Sequence, residues 1–230
     1  MTKSRRNNPV EHLSSKHAER FRIELTQPQK EIVNFIKQNK VSLITGESGT
    51  SKDTICFYRG LDAILNKEFE KLIVVRPLVQ SGSSLGFLKG DLSEKTAAFE
   101  DFYKYHLGKI LNKADLDRNK SKIEFETTQF SRGKNWEFSF IIVSESQSFT
   151  LHELFTLVTR VSESSTIVFN GDYELQNDIG NKSGYKDFIN IIKDIPGIDY
   201  VHLGDGFQMR SQLIVKINKA HKEFLNKRKQ

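Results

Sequence analysis

Val41-Ser42-Leu43-Ile44-Thr45-Gly46-Glu47-Ser48-Gly49-Thr50-Ser51-Lys52-Asp53 is the stretch on which the fold turns. Its opening residues form a short apolar and β-branched run that reads as a buried strand. Ile55, Cys56, Tyr58, Leu61 and Ile64 follow at helical spacing. Between the two, Gly46, Gly49 and Lys52 fit the phosphate-binding loop G-x-x-x-x-G-K-[ST], whose backbone N–H groups cradle phosphates at a helix start. Two positions break the pattern: Ser51 replaces the last glycine, and Asp53 replaces the hydroxyl that would hold Mg²⁺. Lys52 remains to reach the β- and γ-phosphates as a point charge. Ser51 matters only where the backbone needs φ > 0 or a close approach. The expected cofactor-binding residues are therefore Gly46, Glu47, Ser48, Gly49, Thr50, Ser51, Lys52 and Asp53.

Outward from the loop, strands and helices alternate. Strands are expected over 41–45, 72–75, 123–126, 138–143, 166–169 and 200–203, and helices over 53–66, 94–112, 151–160, 184–193 and 210–226. A further helix starts after Thr26, with Pro28 in its first turn, Gln29 completing a capping box, and Ile32, Val33 and Ile36 as its apolar stripe. The continuous apolar run Phe140–Val143 suits a parallel sheet covered on both faces. Alternation of this kind predicts right-handed βαβ units, with ligand at the carboxyl ends of the strands. The expected organisation is an α/β class chain with a mostly parallel sheet: a basic polar tail over 1–20, one domain over 21–226 and a short basic tail over 227–230.

The chain has 230 residues, a formal net charge of +6 and a mean hydropathy of −0.49. No apolar run approaches the ~20 residues of a membrane span, and Met1 to Asn8 lacks the apolar core of a secretory signal. The single cysteine, Cys56, excludes an internal disulfide, fits a reducing cytoplasm and reads as a core residue. Basic residues gather at both ends and in a middle group of Lys104, Lys109, Lys113, Arg118, Lys120 and Lys122. That balance suits either an acidic partner such as nucleic acid or simple solubility.

A second constellation is Ile141-Ile142-Val143-Ser144-Glu145-Ser146-Gln147. An apolar strand ending in Asp-Glu is the usual Walker B arrangement, in which Asp supports Mg²⁺ and Glu orients or deprotonates the attacking water. Glu145 is kept, whereas Ser144 takes the Asp position. Two readings stay open. In the first the site has decayed. Asp53 then sets a like charge beside the phosphates, at about 4 kcal/mol for ~4 Å and an effective dielectric of ~20, and hydrolysis is weak or absent. In the second, Asp53 and Ser144 have exchanged places across one Mg²⁺, which demands close octahedral geometry. Gln29 likewise reads either as a cap or as a reader of the adenine N6/N7 edge.

Arg76-Pro77-Leu78-Val79, then Gly82 and Leu85-Gly86-Phe87-Leu88-Lys89-Gly90-Asp91, form a run through Lys95 that resembles the signature of the PhoH-like family of P-loop ATPases. Ser131-Arg132-Gly133-Lys134, Glu145 with Gln147, Thr159-Arg160, Gly171-Asp172 with Gln176, Ser183-Gly184 and Met209-Arg210 resemble further family motifs in the same order, over residues ~20 to ~225. The resemblance implies one RecA-like P-loop domain, similar to the first motor domain of superfamily 1 RNA helicases. It implies ATP and Mg²⁺ as cofactors, cytoplasmic location, and a phosphate-starvation or bacteriophage setting. It also implies single-stranded RNA as a partner and a homo-oligomeric ring in which Arg210 completes a neighbour's site. Glu145, Gln176 and Arg210 become the catalytic candidates, with Asp172 and Gln176 sensing the γ-phosphate and Arg76 and Arg132 lining an RNA or subunit surface. The departures at Asp53 and Ser144 put Mg²⁺ and hydrolysis in question. Two functions are therefore expected to compete: an ATP-binding protein with weak or no hydrolysis, and a non-catalytic interaction protein, for example a viral factor binding a host component.

Overall fold

A computed structural model describes residues 20–77, 92–128, 133–172 and 179–228. The strands are β1 (Val41–Gly46), β2 (Lys71–Val75), β3 (Ile123–Glu126), β4 (Ser139–Val143), β5 (Thr166–Gly171) and β6 (Ile198–Leu203). They form one sheet in the order β3-β2-β4-β5-β1-β6, and every pairing is parallel. The helices are α1 (Gln27–Gln38), α2 (Lys52–Leu65), α3 (Leu92–Ile110), α4 (Lys113–Asn119), α5 (Leu151–Val158), α6 (Tyr185–Ile192) and α7 (Gln212–Arg228). This is the RecA-like P-loop arrangement that the resemblance implies.

The two-residue period of each strand sorts its side chains between two cores. Ile44, Leu72, Val74, Phe140, Ile142 and Val168 pack with α1, α2 and α3. Leu43, Ile73, Val75, Ile141, Val143, Ile167 and Phe169 pack with α5 and α6. Burial on both faces is why the central strands are apolar without interruption. Cys56 lies fully buried in the first core, and burial pushes its thiol up to about 12. Ser183-Gly184 also acquires a reason: Gly184 donates its N–H to Phe149 O at 2.9 Å, and a Cβ there would stand 2.0 Å from Leu151 N.

The differences from expectation are local. The stretch 94–112 ends at Ile110 and a second, seven-residue helix, α4, follows. It is too short for periodicity to reveal, and its start is set by Asn112, whose side chain accepts the Asp115 N–H at 2.8 Å. Phe138 drops out of β4 because it takes a left-handed φ of 48°. Leu78, Val79, Gly82, the run Leu85–Asp91, Ser131, Arg132 and Gln176 lie outside the described residues. Among the described residues no helix is long and apolar enough to cross a membrane.

Candidate functional site

The sheet order decides the site. β1, β5 and β4 are adjacent, with β5 in the middle, so their carboxyl ends bring together the loop after Gly46, Gly171-Asp172 and Ser144-Glu145. A cavity of about 270 Å³ opens there, lined by Ser48, Lys52, Asp53, Glu145, Asp172 and Arg210, with Phe57 and His106 also on its wall. A larger cavity of about 500 Å³ lies at the β3 edge. Two of the lysines that line it are paired with carboxylates of the same cavity, Lys134 with Glu126 at 2.7 Å and Lys104 with Glu100 at 2.9 Å.

The loop closes on itself. Lys52 Nζ donates to the carbonyls of Gly46 at 2.7 Å and Glu47 at 2.9 Å, and Thr50 Oγ1 donates to Glu47 O at 2.8 Å. Ser48 N–H donates to Asp172 Oδ2 at 3.2 Å, tying the loop to the end of β5. Ser51 takes φ 64° and ψ 18°, the left-handed conformation for which glycine is the usual choice. Burial pushes the Lys52 ammonium below its ordinary value, and Asp172, Asp53 and Glu145 offset part of that effect.

The two altered positions touch. Ser144 Oγ donates to Asp53 Oδ1 at 2.9 Å, and Asn170 Nδ2 donates to the same oxygen at 3.1 Å. Next to them Glu145 stands at φ 55° and ψ 45°, another left-handed residue, as functional sites often hold. Burial, then the charge of Asp53, raises the Glu145 carboxyl above its ordinary value, against the pull of Gln147, Arg76 and Lys52. Gln147 bridges two strand ends: its Nε2 donates to Glu145 Oε2 at 2.6 Å, and its Oε1 accepts the Asp172 N–H at 2.9 Å.

Two candidates make contacts of their own within the chain. Arg210, expected to complete a neighbour's site, rests on its own chain's loop. Its Nη2 donates to Ser48 Oγ at 2.7 Å, and its alkyl stem covers Gly49, where a Cβ would meet Arg210 Cγ and Cδ at 2.7 Å. The cause is that β6 pairs beside β1, which carries the following segment over the loop; Met209 N–H donates to Gly49 O at 3.0 Å. Gln29 does not line the cavity. Its Oε1 accepts the Thr26 N–H at 2.9 Å, closing the capping box of α1. Arg76 points Nη1 at the Tyr103 hydroxyl, 3.4 Å away.

Sequence reasoning did not find Asn170 or His106. Asn170 had a legible signal, a buried amide ending an otherwise apolar strand. His106 had none, since it reaches the cavity from α3, remote in sequence from every motif there. Among the described residues, no group of three or more His, Cys, Asp and Glu side chains is placed to hold a metal.

The family described as PhoH-like protein matches residues 23–222. The PhoH-like protein of Synechocystis sp. is 31% identical over 205 residues, which cover 86% of this chain and 61% of that protein. For the PhoH-like protein of Bacillus subtilis the figures are 30% over 200 residues, 85% and 62%. For Protein PhoH of Escherichia coli they are 28% over 193 residues, 81% and 54%. The chain thus spans a little over half the length of these curated relatives. Among solved structures, Pif1 helicase from Candida albicans aligns with a TM-score of 0.40 at 14% identity, over 80% of this chain and 40% of its own. Bacteroides Pif1 bound to ssDNA aligns at 0.43 and 15% identity, over 88% of this chain and 47% of its own.

Proposed function

The chain belongs to the PhoH-like family, and from that membership we propose that its loop binds ATP with Mg²⁺, Asp53 and Ser144 having exchanged their roles. The observation that supports this most is the 2.9 Å hydrogen bond between the two side chains. One carboxylate and one hydroxyl face each other in either order, so the site's total charge is that of the unaltered pair. The like-charge penalty of Asp53 taken alone is then offset by the missing carboxylate at 144. Oxygen donors of this kind suit Mg²⁺, which takes few protein ligands and fills its shell with water and phosphate oxygens. When bound, the ion would neutralise charge on the β- and γ-phosphate oxygens.

The chain's own groups have separable tasks. Backbone N–H groups of Gly49, Ser51 and Lys52 hold phosphate at the start of α2, and Lys52 turns from the loop carbonyls to the phosphates. Arg210 leaves Ser48 Oγ for the same charge. Glu145 orients or deprotonates water, and Gln147 fixes its carboxylate. A non-catalytic interaction protein on a former P-loop ATPase fold is the second reading. It draws on one observation: Lys52 and Arg210 are each hydrogen-bonded to oxygens of the loop itself.

Calorimetry of ATP with and without Mg²⁺, followed by a turnover assay, tests the proposal on Asp53→Thr, Ser144→Asp and the double variant. Exchanged roles predict that each single change weakens Mg²⁺-dependent binding about tenfold or more and that the double variant recovers, since neighbours of this kind couple strongly. Decay predicts the reverse for Asp53→Thr, a gain in affinity from removing the charge. Turnover abolished by Glu145→Gln supports an enzyme, whereas no turnover in the parent leaves the second reading.

A further inference from the structure

We propose that the open edge of β3 takes up an extended segment of another protein as an added strand, seating an apolar side chain in the adjoining cavity. β3 ends the sheet, and among the described residues it pairs with β2 alone. Val75 lies opposite Glu126, and the Arg76 N–H donates to Glu126 O at 3.1 Å. The backbone groups of Glu126, and by the two-residue period those of Glu124, therefore point at β2. Those of Ile123 and Phe125 point off the edge. Ile123 spends its N–H on Lys120 O. Among the described residues nothing bonds to the Ile123 C=O or to the N–H and C=O of Phe125. Such a row of backbone groups is a template for another strand.

The cavity of about 500 Å³ opens along this same edge, because residues from both faces of β3 line it. On one face Leu107 of α3, Leu116 of α4, Ile123 and Phe125 give it an apolar floor continuous with the first core. On the other, Glu124 pairs with Lys71 and Glu126 with Lys134. An added strand alternates its side chains between these two faces, so it needs apolar residues at one parity and polar residues at the other. Charge narrows the occupant further. Glu100, Asp117, Glu124 and Glu126 line the cavity against Lys104, Lys120 and Lys134, so no positive surplus is left for a phosphate backbone or an anionic lipid surface. A second copy paired antiparallel through Phe125 would set Glu124 opposite Glu126 on one face, like charge against like. A segment of a different protein, uncharged at its polar positions, meets neither objection. The proposal does not depend on the nucleotide reading.

The test uses the full chain and fluorescein-labelled peptides of alternating valine and threonine, read by anisotropy. Two further peptides carry N-methyl groups on every valine or on every threonine, so that each blocks one edge of the strand. One of them should lose binding by ~10-fold or more while the other keeps the affinity of the unmethylated peptide, since only one edge faces β3. The unmethylated peptide should also slow hydrogen exchange at the Phe125 amide. Leu116→Lys, which sets a charge in the apolar floor, should weaken it by ~10-fold or more. Equal loss or equal retention by the two methylated peptides overturns the proposal, as does no binding of the unmethylated one or an unchanged Phe125 amide. Full affinity for Leu116→Lys overturns the seating in the cavity. A dimer in sedimentation that the peptide dissociates, or single-stranded RNA that displaces the peptide, also overturns the proposal, since either assigns the edge to a different occupant.

Discussion

At Ser51 the chain carries a side chain through φ 64° and ψ 18°, where Cβ crowds the following carbonyl. Ser51→Gly removes that strain and returns part of it as unfolded-chain entropy. The variant should gain about 0.5–1 kcal/mol, read as a raised denaturant midpoint at constant slope. Glu145 supplies the pH prediction. A water-orienting carboxylate works ionised, and burial with the nearby Asp53 raises this one above its ordinary value. Turnover should therefore fall on the acid side through a pKa above the usual carboxylate range. Gln147→Ala removes a hydrogen bond that favours the ionised form, so the acid limb should move to higher pH. The stability sign is the opposite. A raised folded pKa means the buried charge costs stability at neutral pH, and the cost is relieved as pH falls through that value. An acid limb at the ordinary carboxylate pKa, unmoved by Gln147→Ala, would remove Glu145 from this role.

At the scale of elements, the turn between α2 and β2 is held by charge. Arg59 is 2% exposed on α2, and its guanidinium meets Glu68 just beyond the helix while lying 5.5 Å from the Phe140 ring centroid. Burial works against the Glu68 charge, but the hydrogen bond and charge of Arg59, joined by Lys37, hold its carboxyl below the ordinary value. Glu68→Ala leaves the guanidinium with Asp62 at 3.9 Å as its nearest acidic partner in this turn. Breaking such a pair from one side should cost about 2–3 kcal/mol in denaturant unfolding at pH 7. Because the folded pKa is depressed, the wild-type contribution is complete above the unfolded pKa and is lost as pH falls through the folded one. Parent and Glu68→Ala should therefore converge in acid. A constant gap between them down to the lowest pH would assign the effect to packing.

For the whole molecule, the charge of +6 predicts weak, sequence-independent binding of single-stranded RNA, measured by anisotropy. With a few phosphates neutralised, affinity should drop by about 10-fold or more between ~50 and ~200 mM salt. Part of the middle basic group is already engaged, Lys104 with Glu100 and Lys109 over the Tyr105 ring at 4.2 Å, which is why the expected binding is weak. No binding at the lower salt would leave the charge as solubility and favour the interaction-protein reading. The strands, nearly all the helices and the phosphate loop were legible in the sequence because period-two and helical apolar patterns are local, and a strand-loop-helix motif spans only a dozen or so neighbouring residues. Gln29 was legible as far as its two uses, and capping is the one the geometry shows. What the pattern could not contain is which strand ends meet. Asp53 and Ser144 are 91 residues apart, Asp53 and Asn170 117, and Ser48 and Arg210 162. Those contacts exist because β5 lies between β4 and β1 and β6 closes beside β1. Strand order follows from the packing of two cores at once, so only the tertiary structure decided that two departures from a motif face each other and that Arg210 touches Ser48 of its own loop.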